Sequence, residues 1–410
     1  MKQCIIYLKL FYGDKMALRY RSIVLFCAII ISLLINEVVF NSGNNSIVYG
    51  EENLSIQSKS AILIEGATGK IIYKKNPNEK LNPASITKIM TLLLIYESLD
   101  SGKIKPNDMV TVSEHAASMG GSQVYLEPNE QQTVETMIKC ISIASANDAA
   151  VAMAEHIGGS EEGFVNRMNK RAKQLGMKDT HFVNCCGLDV DGHYSSAYDV
   201  ALMSKELITK YPGIIKYTTT WMDTIIHKTK KGESEFGLTN TNKLVRTYNG
   251  ITGLKTGSTS LAKYCLSATA NRNGIDMIAV VMGAPDHKLR FMEASKLLDY
   301  GFGKCTKYEH IYSESKLKNI EVKNGVYDKV QGKVSSPFTY VYIEDKGKIT
   351  HKKIINNVVA PVKKGDKLGV IEYFMGGKKI GERDIVAKME VKKADYIDYF
   401  SDVLNEFFYV

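Results

Sequence analysis

Residues 83–95 have the sequence PASITKIMTLLLI, in which a serine and a lysine stand three positions apart ahead of an apolar run. Asn82 suits the N-cap of a helix and Pro83 suits its first position, so this stretch predicts a helix. Side chains three positions apart on a helix share one face. We therefore predict that Ser85 and Lys88 lie side by side in the first turn of a buried helix.

The pairing of Ser85 with Lys88 permits nucleophilic catalysis. A serine hydroxyl is a weak nucleophile near neutral pH and needs an adjacent base. Lysine serves as that base only where burial or a nearby positive charge makes its ammonium lose a proton easily, and Lys255 is the candidate for that charge. A serine and a lysine at this spacing are also common on exposed helices. The apolar residues 89–95 argue against an exposed helix here.

A second motif, Ser145-Ala146-Asn147, falls at the predicted junction of two helices. A serine or asparagine at such a junction commonly caps the helix that follows. Capping and catalysis are compatible. In a catalytic role Ser145 would relay protons and Asn147 would bind a substrate amide.

The third motif, Lys255-Thr256-Gly257, is predicted to precede or begin an edge strand. Gly257 would let a substrate backbone approach closely. Lys255 and Thr256, with a further cation, would hold a carboxylate, and the backbone N–H groups of Ser85 and Ser258 would form an oxyanion hole. In this order the three motifs predict a serine acyl-transfer site in which lysine replaces histidine as the proton carrier.

The hydrophobic pattern around these motifs predicts an α+β fold, with an antiparallel sheet flanked by helices. The segments 61–64 and 70–73 flank a turn that contains Gly66 and Gly69 and indicate one hairpin, and the segments 264–270 and 275–282, joined through Asn273-Gly274, indicate another. Helices are expected at about 133–143, from Asn147 to Gly159, at 161–175 and at 288–298. We predict a catalytic domain over residues 51–310.

The remainder of the chain has a different character. Residues 311–391 contain short alternating segments between turns, which predicts a small all-β domain. Residues 392–410 end in an amphipathic helix, with apolar and acidic residues on opposite faces. That helix is expected to lie in a membrane interface, although its acidic face would also suit a dimer seam or docking on a neighbouring element.

The N-terminal residues 1–50 have the features of an export signal. Arg19 and Arg21 precede an apolar segment, Ile23 to Ile35, that is short for a membrane span and suited to a signal peptide. Met16 is a possible alternative start. We therefore expect an extracytoplasmic protein, located on the outer face of the cytoplasmic membrane or secreted to the cell wall.

Composition narrows the classes of partner. The chain has 410 residues and a net charge of +9, which would suit an anionic surface, but no basic run is interleaved with aromatic residues, so we expect no nucleic-acid partner. No cluster of histidine and cysteine has metal-ligand spacing. The five cysteines beyond the signal have no regular spacing and are interpreted as buried, unpaired residues: Cys140, Cys185, Cys186, Cys265 and Cys305.

The motifs resemble those of the low-molecular-mass penicillin-binding proteins and, more narrowly, of the serine-type D-alanyl-D-alanine carboxypeptidases, the S11 peptidase group. The resemblance rests on Pro83–Thr91, Ser145–Ala149 and Gly253–Thr259, and extends over roughly residues 55–400. It implies a penicillin-binding/β-lactamase-like transpeptidase fold for the catalytic domain. It implies no cofactor.

The resemblance also implies a reaction. Ser85 would attack the penultimate D-alanine carbonyl of a peptidoglycan stem pentapeptide after Lys88 takes its proton. Terminal D-alanine would leave, and water would release the tetrapeptide from the acyl-enzyme. Arg290 aligns with a family arginine near the substrate carboxylate, which Lys255 and Thr256 would also recognise. β-Lactam antibiotics would acylate Ser85 as substrate mimics.

Two positions depart from the family pattern. Cys186 stands where the family usually has a histidine, and Lys263 stands where it commonly has a glycine. Among alternatives, a class A-like β-lactamase would need a glutamate near the acyl-enzyme, for which Glu162 with Asn166 is the weak candidate. A non-catalytic wall-binding protein would not need a nucleophile beside a base. Transpeptidation by the same acyl-enzyme stays open.

Overall fold

The structure is a computed structural model that describes residues 54–230, 232–343 and 347–408. The expected signal peptide and the alternative start at Met16 lie outside the described residues. In the first part of the described chain the strands are β1 (Ser60–Glu65), β2 (Ile71–Lys75), β3 (Met109–Thr111), β4 (Gln131–Thr133), β5 (Met222–Thr229), β6 (Gly232–Thr239), β7 (Ile251–Thr259), β8 (Lys263–Arg272) and β9 (Ile275–Ala284).

The helices of this part surround its sheet and form a helical region beside it. They are α1 (Lys88–Asp100), α2 (Glu114–Ala117), α3 (Val134–Lys139), α4 (Asn147–Gly158), α5 (Glu161–Gln174), α6 (Ala197–Lys210), α7 (Ile215–Thr218), α8 (Leu244–Thr247) and α9 (Leu289–Lys304). Two irregular turns matter for the site. A 3₁₀ turn at Ala84–Thr87 precedes α1, and a π-helical turn at Cys140–Ala144 follows α3.

The central sheet has five antiparallel strands in the order β2-β1-β9-β8-β7. Strand β9, with the sequence IDMIAVVMGA, is buried along nearly its whole length, because both α6 and α9 pack against it. A strand covered on both faces has a continuous apolar sequence rather than an alternating one. Strand β7 forms one edge of the sheet, so the third motif lies on a strand with one unpaired side.

Helix α1 is buried on almost every side. Its residues Lys88 to Ile95 are all buried, and it packs against α4 and α6. A helix that is apolar all round belongs in a core. The apolar run after Lys88 therefore carries the catalytic motif into the centre of the domain, as the sequence predicted.

Several predicted element bounds differ in the structure. The α-helix begins at Lys88 rather than at Pro83, because Ala84 has a positive φ of 48° and the preceding residues cannot continue a helix. The helix predicted at 133–143 breaks into α3 and the π-helical turn. Helix α9 continues to Lys304, past Gly301, which packs closely against strand residues of the sheet. The third motif lies inside β7 rather than at its start.

The second part of the described chain is rich in strands. They are β10 (Cys305–His310), β11 (Ile320–Glu321), β12 (Lys329–Val330), β13 (Gly332–Val334), β14 (Phe338–Ile343), β15 (Ile349–Ile355), β16 (Lys367–Met375) and β17 (Lys378–Ala387). A four-stranded sheet, in the order β13-β17-β16-β15, encloses its own apolar core around Ile371, Tyr373 and Ile385. Strand β10 pairs with β14. The boundary at residue 310 stays a prediction.

A last helix, α10 (Tyr396–Phe408), follows the β-rich part. The Asp395 carboxylate accepts hydrogen bonds from the backbone of Ile397 and Asp398, and Asp398 accepts one from the backbone of Asp395, which is a reciprocal cap. Within the described residues no helix combines the length and the apolar content needed to cross a bilayer.

The cysteines of the described chain fit their predicted structural role. All five are free thiols and all five are buried. They therefore behave as small apolar residues in the core.

Candidate active site

The three sequence motifs meet in the structure. The 3₁₀ turn that carries Ser85 contacts strand β7, and α1 contacts both β7 and α4. The turn at Ser145 and Ala146 joins the π-helical turn to α4. The site therefore lies where the edge of the sheet meets the helical region.

Lys88 is the centre of the site's hydrogen-bond network. Its ammonium donates to Ser85 Oγ at 3.0 Å, to Asn147 Oδ1 at 2.6 Å and to the Cys186 carbonyl at 2.9 Å. The residue has no exposed surface. Three donors thus meet three acceptors, and one acceptor is the hydroxyl that the sequence predicted to be the nucleophile.

Burial changes the acidity of both site lysines. It lowers the pKa of Lys88 from the usual 10.5, against a smaller opposing effect of the Cys186, Cys185 and Asp148 groups. The pKa of Lys255 lies well below 10.5, first because of burial and then because of the positive charges of Lys88 and Arg290. Burial is therefore the main cause for both lysines. The charge of Lys88 lowers the pKa of Lys255, whereas the predicted effect of Lys255 on the pKa of Lys88 stays a prediction.

Asn147 is held by contacts on both ends of its amide. Its Nδ2 donates to the Gly120 carbonyl at 2.7 Å, which leaves Oδ1 facing Lys88. Its backbone N–H donates to the Ser122 carbonyl at 2.7 Å. Asn147 does not cap α4, because that helix has no side-chain cap. The amide instead orients the ammonium of Lys88.

The next residue, Asp148, fixes the loop on the other side of Asn147. Its carboxylate is fully buried and accepts hydrogen bonds from the backbone of Val124 and Leu126, each at 3.1 Å at closest. The loop that supplies the Gly120 and Ser122 carbonyls is thereby tied to α4. The sequence motif gave no indication of this function for Asp148.

Ser145 is buried, with a left-handed backbone at φ 63° and ψ 30°. That conformation is uncommon for a residue other than glycine and ends the π-helical turn. Among the described contacts there is no hydrogen bond from the Ser145 hydroxyl to Ser85 or Lys88. Its predicted function in proton relay stays a prediction.

Gly257 is required by the protein's own packing. A Cβ atom at this position would lie 2.8 Å from the Pro83 carbonyl oxygen and 3.0 Å from the backbone nitrogens of Ser85 and Ile86. Those distances leave no room for a side chain. The sequence prediction attributed this glycine to close approach of a substrate, whereas the structure shows close approach of the turn that carries Ser85.

Residues of β7 and α9 surround Gly257. The Lys255 ammonium donates to the Thr256 carbonyl at 3.1 Å, and the Thr256 hydroxyl donates to Thr241 Oγ1 at 2.7 Å. Arg290 is buried and donates to the Gly257 carbonyl at 2.9 Å. Arg290 is therefore not an exposed helix charge, and it contributes a third cation beside Lys88 and Lys255.

Cys186 enters the site through its backbone. Its carbonyl accepts from Lys88, and the following residue, Gly187, has a φ of 90°. A Cβ at Gly187 would lie 1.9 Å from the Ala84 carbonyl oxygen, so only glycine fits. The departure from the family pattern at Cys186 therefore leaves the backbone contact to Lys88 in place.

His193 contacts the turn that carries Ser85 and was not predicted as a functional residue. Its Nδ1 accepts from the backbone of Val183 at 3.0 Å, so the ring proton is on Nε2, which donates to Thr87 Oγ1 at 2.8 Å. Burial lowers the pKa of His193 to about 4. The ring is therefore neutral near pH 7 and positions the turn between Ser85 and Lys88.

The other residues considered from sequence lie outside this network. Ser258 is exposed at the end of β7, next to Gly257. Glu162 and Asn166, the candidates for a β-lactamase mechanism, are exposed on α5. No group of three or more possible metal ligands was found among the described residues.

A serine hydrogen-bonded to a buried lysine, an asparagine that orients the lysine and a cationic edge strand define a serine acyl-transfer enzyme of the penicillin-binding type. The model of the D-alanyl-D-alanine carboxypeptidase family, peptidase S11, matches residues 47–286, and that of the C-terminal domain of penicillin-binding protein 5 matches residues 307–393. The chain belongs to the S11 family of D-alanyl-D-alanine carboxypeptidases.

Individual relatives agree with this assignment. The chain is 46% identical over 356 residues to the D-alanyl-D-alanine carboxypeptidase DacF of Bacillus subtilis (strain 168), covering 86% of this chain and 90% of that protein. It is 33% identical over 355 residues to the D-alanyl-D-alanine carboxypeptidase DacC of Escherichia coli (strain K12), covering 83% of this chain and 86% of that protein.

Solved structures show the same fold. Penicillin-binding protein 5 from Haemophilus influenzae matches with a TM-score of 0.64 at 30% identity, over 84% of this chain and 100% of that chain. A mutant of the DD-transpeptidase of Streptomyces K15 matches with a TM-score of 0.57 at 28% identity, over 60% of this chain and 98% of that one.

Proposed function

We propose that Ser85 is the nucleophile and Lys88 the general base of a D-alanyl-D-alanine carboxypeptidase that acts on peptidoglycan stem pentapeptides. The observation that supports this most directly is the hydrogen bond of 3.0 Å between the Lys88 ammonium and Ser85 Oγ. Lys88 has two other acceptors, Asn147 Oδ1 and the Cys186 carbonyl. When Lys88 is neutral, its two N–H groups remain on those acceptors and its lone pair faces the hydroxyl.

The reaction then follows from this geometry. Lys88 takes the proton of Ser85, whose oxygen forms a bond to the carbonyl carbon of the penultimate D-alanine. The backbone N–H groups of Ser85 and Ser258 stabilise the negative carbonyl oxygen. The C–N bond breaks, the terminal D-alanine leaves with the proton returned through Lys88, assisted by Ser145, and water later cleaves the Ser85 ester.

Recognition of the substrate's terminal carboxylate is assigned to the cationic side of the site. Lys255 and Thr256 present an ammonium and a hydroxyl on β7, and Arg290 adds a buried positive charge behind Gly257. A carboxylate that approaches this edge offsets the mutual repulsion of the cations. Asn147 is assigned to the substrate amide as well as to Lys88.

The carboxypeptidase assignment predicts stoichiometric labelling by penicillin together with catalytic release of D-alanine. We expect the purified protein to release D-alanine from an acylated D-Ala-D-Ala peptide and to form a stable adduct with a fluorescent penicillin. Rapid penicillin turnover without D-alanine release would instead identify a β-lactamase. Failure to bind penicillin at all would favour a non-catalytic wall-binding protein.

We propose that helix α10 binds the protein to a membrane surface. Its side chains Tyr396, Ile397, Phe400 and Val403 are between 55% and 84% exposed. Exposed apolar residues at this density on one helix need a covering surface. Two exposed lysines, at 392 and 393, precede the helix and suit anionic headgroups. We assign it to the outer face of the cytoplasmic membrane.

Removal of residues 394–410 is expected to abolish flotation with vesicles that contain anionic lipid. A Phe400→Ser, Val403→Ser double variant of the full chain is the matched control, because it removes apolar area and keeps the charges. We expect at least about ten-fold less of this variant than of the wild-type protein to float with the vesicles, because it loses two apolar side chains that the membrane would bury. Equal flotation of the truncated and full-length forms would contradict the anchor. Loss of a dimer without any effect on flotation would identify a dimer seam.

A further inference from the structure

The peptide unit that joins Cys186 to Gly187 uses both of its polar groups at the site. Its carbonyl accepts a hydrogen bond from the Lys88 ammonium at 2.9 Å, and its N–H donates to Asn184 Oδ1 at 2.6 Å. Both bonds belong to one planar, rigid group, so a rotation that breaks one of them also disturbs the other. The orientation of the carbonyl toward the lysine therefore depends on Asn184.

The side-chain amide of Asn184 holds the whole turn that follows it. Its Oδ1 also accepts from the backbone N–H groups of Cys186 and Leu188, each at 3.2 Å, and its Nδ2 donates to the Leu188 carbonyl at 2.9 Å. N–H donors at one end and a carbonyl at the other fix which end of the amide is the oxygen. An asparagine that only initiates a turn needs one such bond. This one constrains the turn as far as Leu188.

The preceding residue, Cys185, is held by other groups. Its carbonyl accepts from the Thr91 hydroxyl of α1 at 2.6 Å, and its N–H donates to Glu161 Oε1 of α5 at 3.1 Å. These contacts fix the two peptides before the 186–187 peptide. Among the described contacts, the N–H of the 186–187 peptide itself donates only to Asn184. One side chain thus sets the direction of the carbonyl that the catalytic lysine uses.

We propose that Asn184 is a positioning residue for the proton transfer: it holds the 186–187 peptide so that the carbonyl keeps the Lys88 amine directed at the nucleophile. This inference rests on the function of Lys88 as general base, proposed above. No described hydrogen bond joins the Asn184 side chain to Lys88 or Ser85, so Asn184 acts through the peptide. An acceptor on the N–H of a peptide also strengthens the dipole that its carbonyl presents to the lysine.

The charges around Lys88 make this function measurable through the pH dependence of acylation. The titratable groups around its ammonium are Asp148 on α4, Lys255 on β7 and the thiols of Cys185 and Cys186. Burial still lowers the pKa of Lys88 overall. A negative charge at position 184, at the far end of the peptide dipole, would raise that pKa. Loss of the carbonyl contact would lower it, because the ammonium would lose an acceptor.

The test measures the second-order rate constant for acylation of the full chain by a fluorescent penicillin across a range of pH. Asn184→Asp keeps an acceptor and adds a negative charge, so its rate should rise at a higher pH than in the wild-type protein and reach a similar plateau. For Asn184→Ala we expect the rise at a lower pH and a plateau about ten-fold lower, as fits the loss of one orienting hydrogen bond.

Two comparisons separate positioning from a general loss of packing. Asn107→Asp adds the same charge at an exposed asparagine whose side chain forms no described hydrogen bond, and it should leave the pH profile unchanged. Thermal midpoints establish which variants are folded. If Asn184→Ala does not fold, a shift to higher pH at an unchanged plateau in Asn184→Asp is the supporting result.

Wild-type profiles in the folded Asn184 variants would overturn the positioning function alone. So would a shift of both variants to higher pH, because water entering a loosened site raises the pKa of a buried lysine whatever residue stands at 184. A wild-type rate that does not rise with pH would overturn Lys88 as the base, and this inference with it.

Discussion

Ser85→Ala is expected to lose all covalent labelling by fluorescent penicillin. Its rate of D-alanine release should fall by at least about 10⁴-fold, as is usual when a covalent nucleophile is removed. The reason is that no other hydroxyl accepts a hydrogen bond from Lys88 among the described contacts; the other acceptors are the Asn147 amide and the Cys186 carbonyl. Gel fluorescence after a saturating incubation, with D-alanine assayed in parallel, measures both effects.

The fold should survive this change. Ser85 is partly exposed and loses only one oxygen, so the thermal midpoint should stay close to that of the wild-type protein. Ser118→Ala, at an exposed serine, is the matched control and should keep full labelling. Persistent labelling of Ser85→Ala would identify another nucleophile, and Ser145 would then be the next residue to replace.

The proximity of Ser85 and Lys88 was predictable because it is local. A separation of three residues brings them together across the 3₁₀ turn before α1, where residues three apart also lie above one another. The apolar run after Lys88 predicted the burial that lowers its pKa. The hairpins of the central sheet were predictable for a similar reason. Strands β8 and β9 are joined by an Asn-Gly turn, and such turns set the pairing of neighbouring segments.

The contacts that orient Lys88 were less accessible to sequence reasoning. The Cys186 carbonyl lies 98 positions from Lys88, and a backbone carbonyl can belong to any residue type. The sequence near Cys186 drew attention to its side chain, whereas the site uses its backbone and the glycine that follows. The available signal in the sequence was the glycine at position 187. The structure explains it, because a φ of 90° restricts that position to glycine.

His193 was missed for another reason. A single histidine among eight in the chain has no pattern that marks it as a site residue, and its partners come from Thr87 and from the backbone of Val183. Only the folded structure shows that the ring bridges the catalytic turn to a distant loop. Burial, which lowers its pKa to about 4, keeps the ring in the neutral form that this bridge requires.

Lys88→Met is expected to reduce the rate of acylation by penicillin by about 10³-fold or more, the usual contribution of a positioned general base. Methionine has a similar length and remains buried, but it has no proton acceptor for Ser85. In the wild-type protein the rate should rise with pH as Lys88 becomes neutral. Because burial lowers its pKa, this rise should be complete at a lower pH than for an exposed lysine. The Lys88→Met variant should lack this rise with pH. Stopped-flow measurement of acylation across a range of pH gives both the loss of rate and the pH dependence.

Lys88→Arg distinguishes proton transfer from a purely electrostatic function. Arginine keeps the positive charge beside Ser85 but stays protonated at every accessible pH, so it cannot act as a base. If Lys88 is the base, this variant should be as slow as Lys88→Met, provided that circular dichroism shows both to be folded. A Lys88→Arg protein that acylates near the wild-type rate would show that the charge alone is sufficient, and the base would then have to be sought at Ser145 or Lys255.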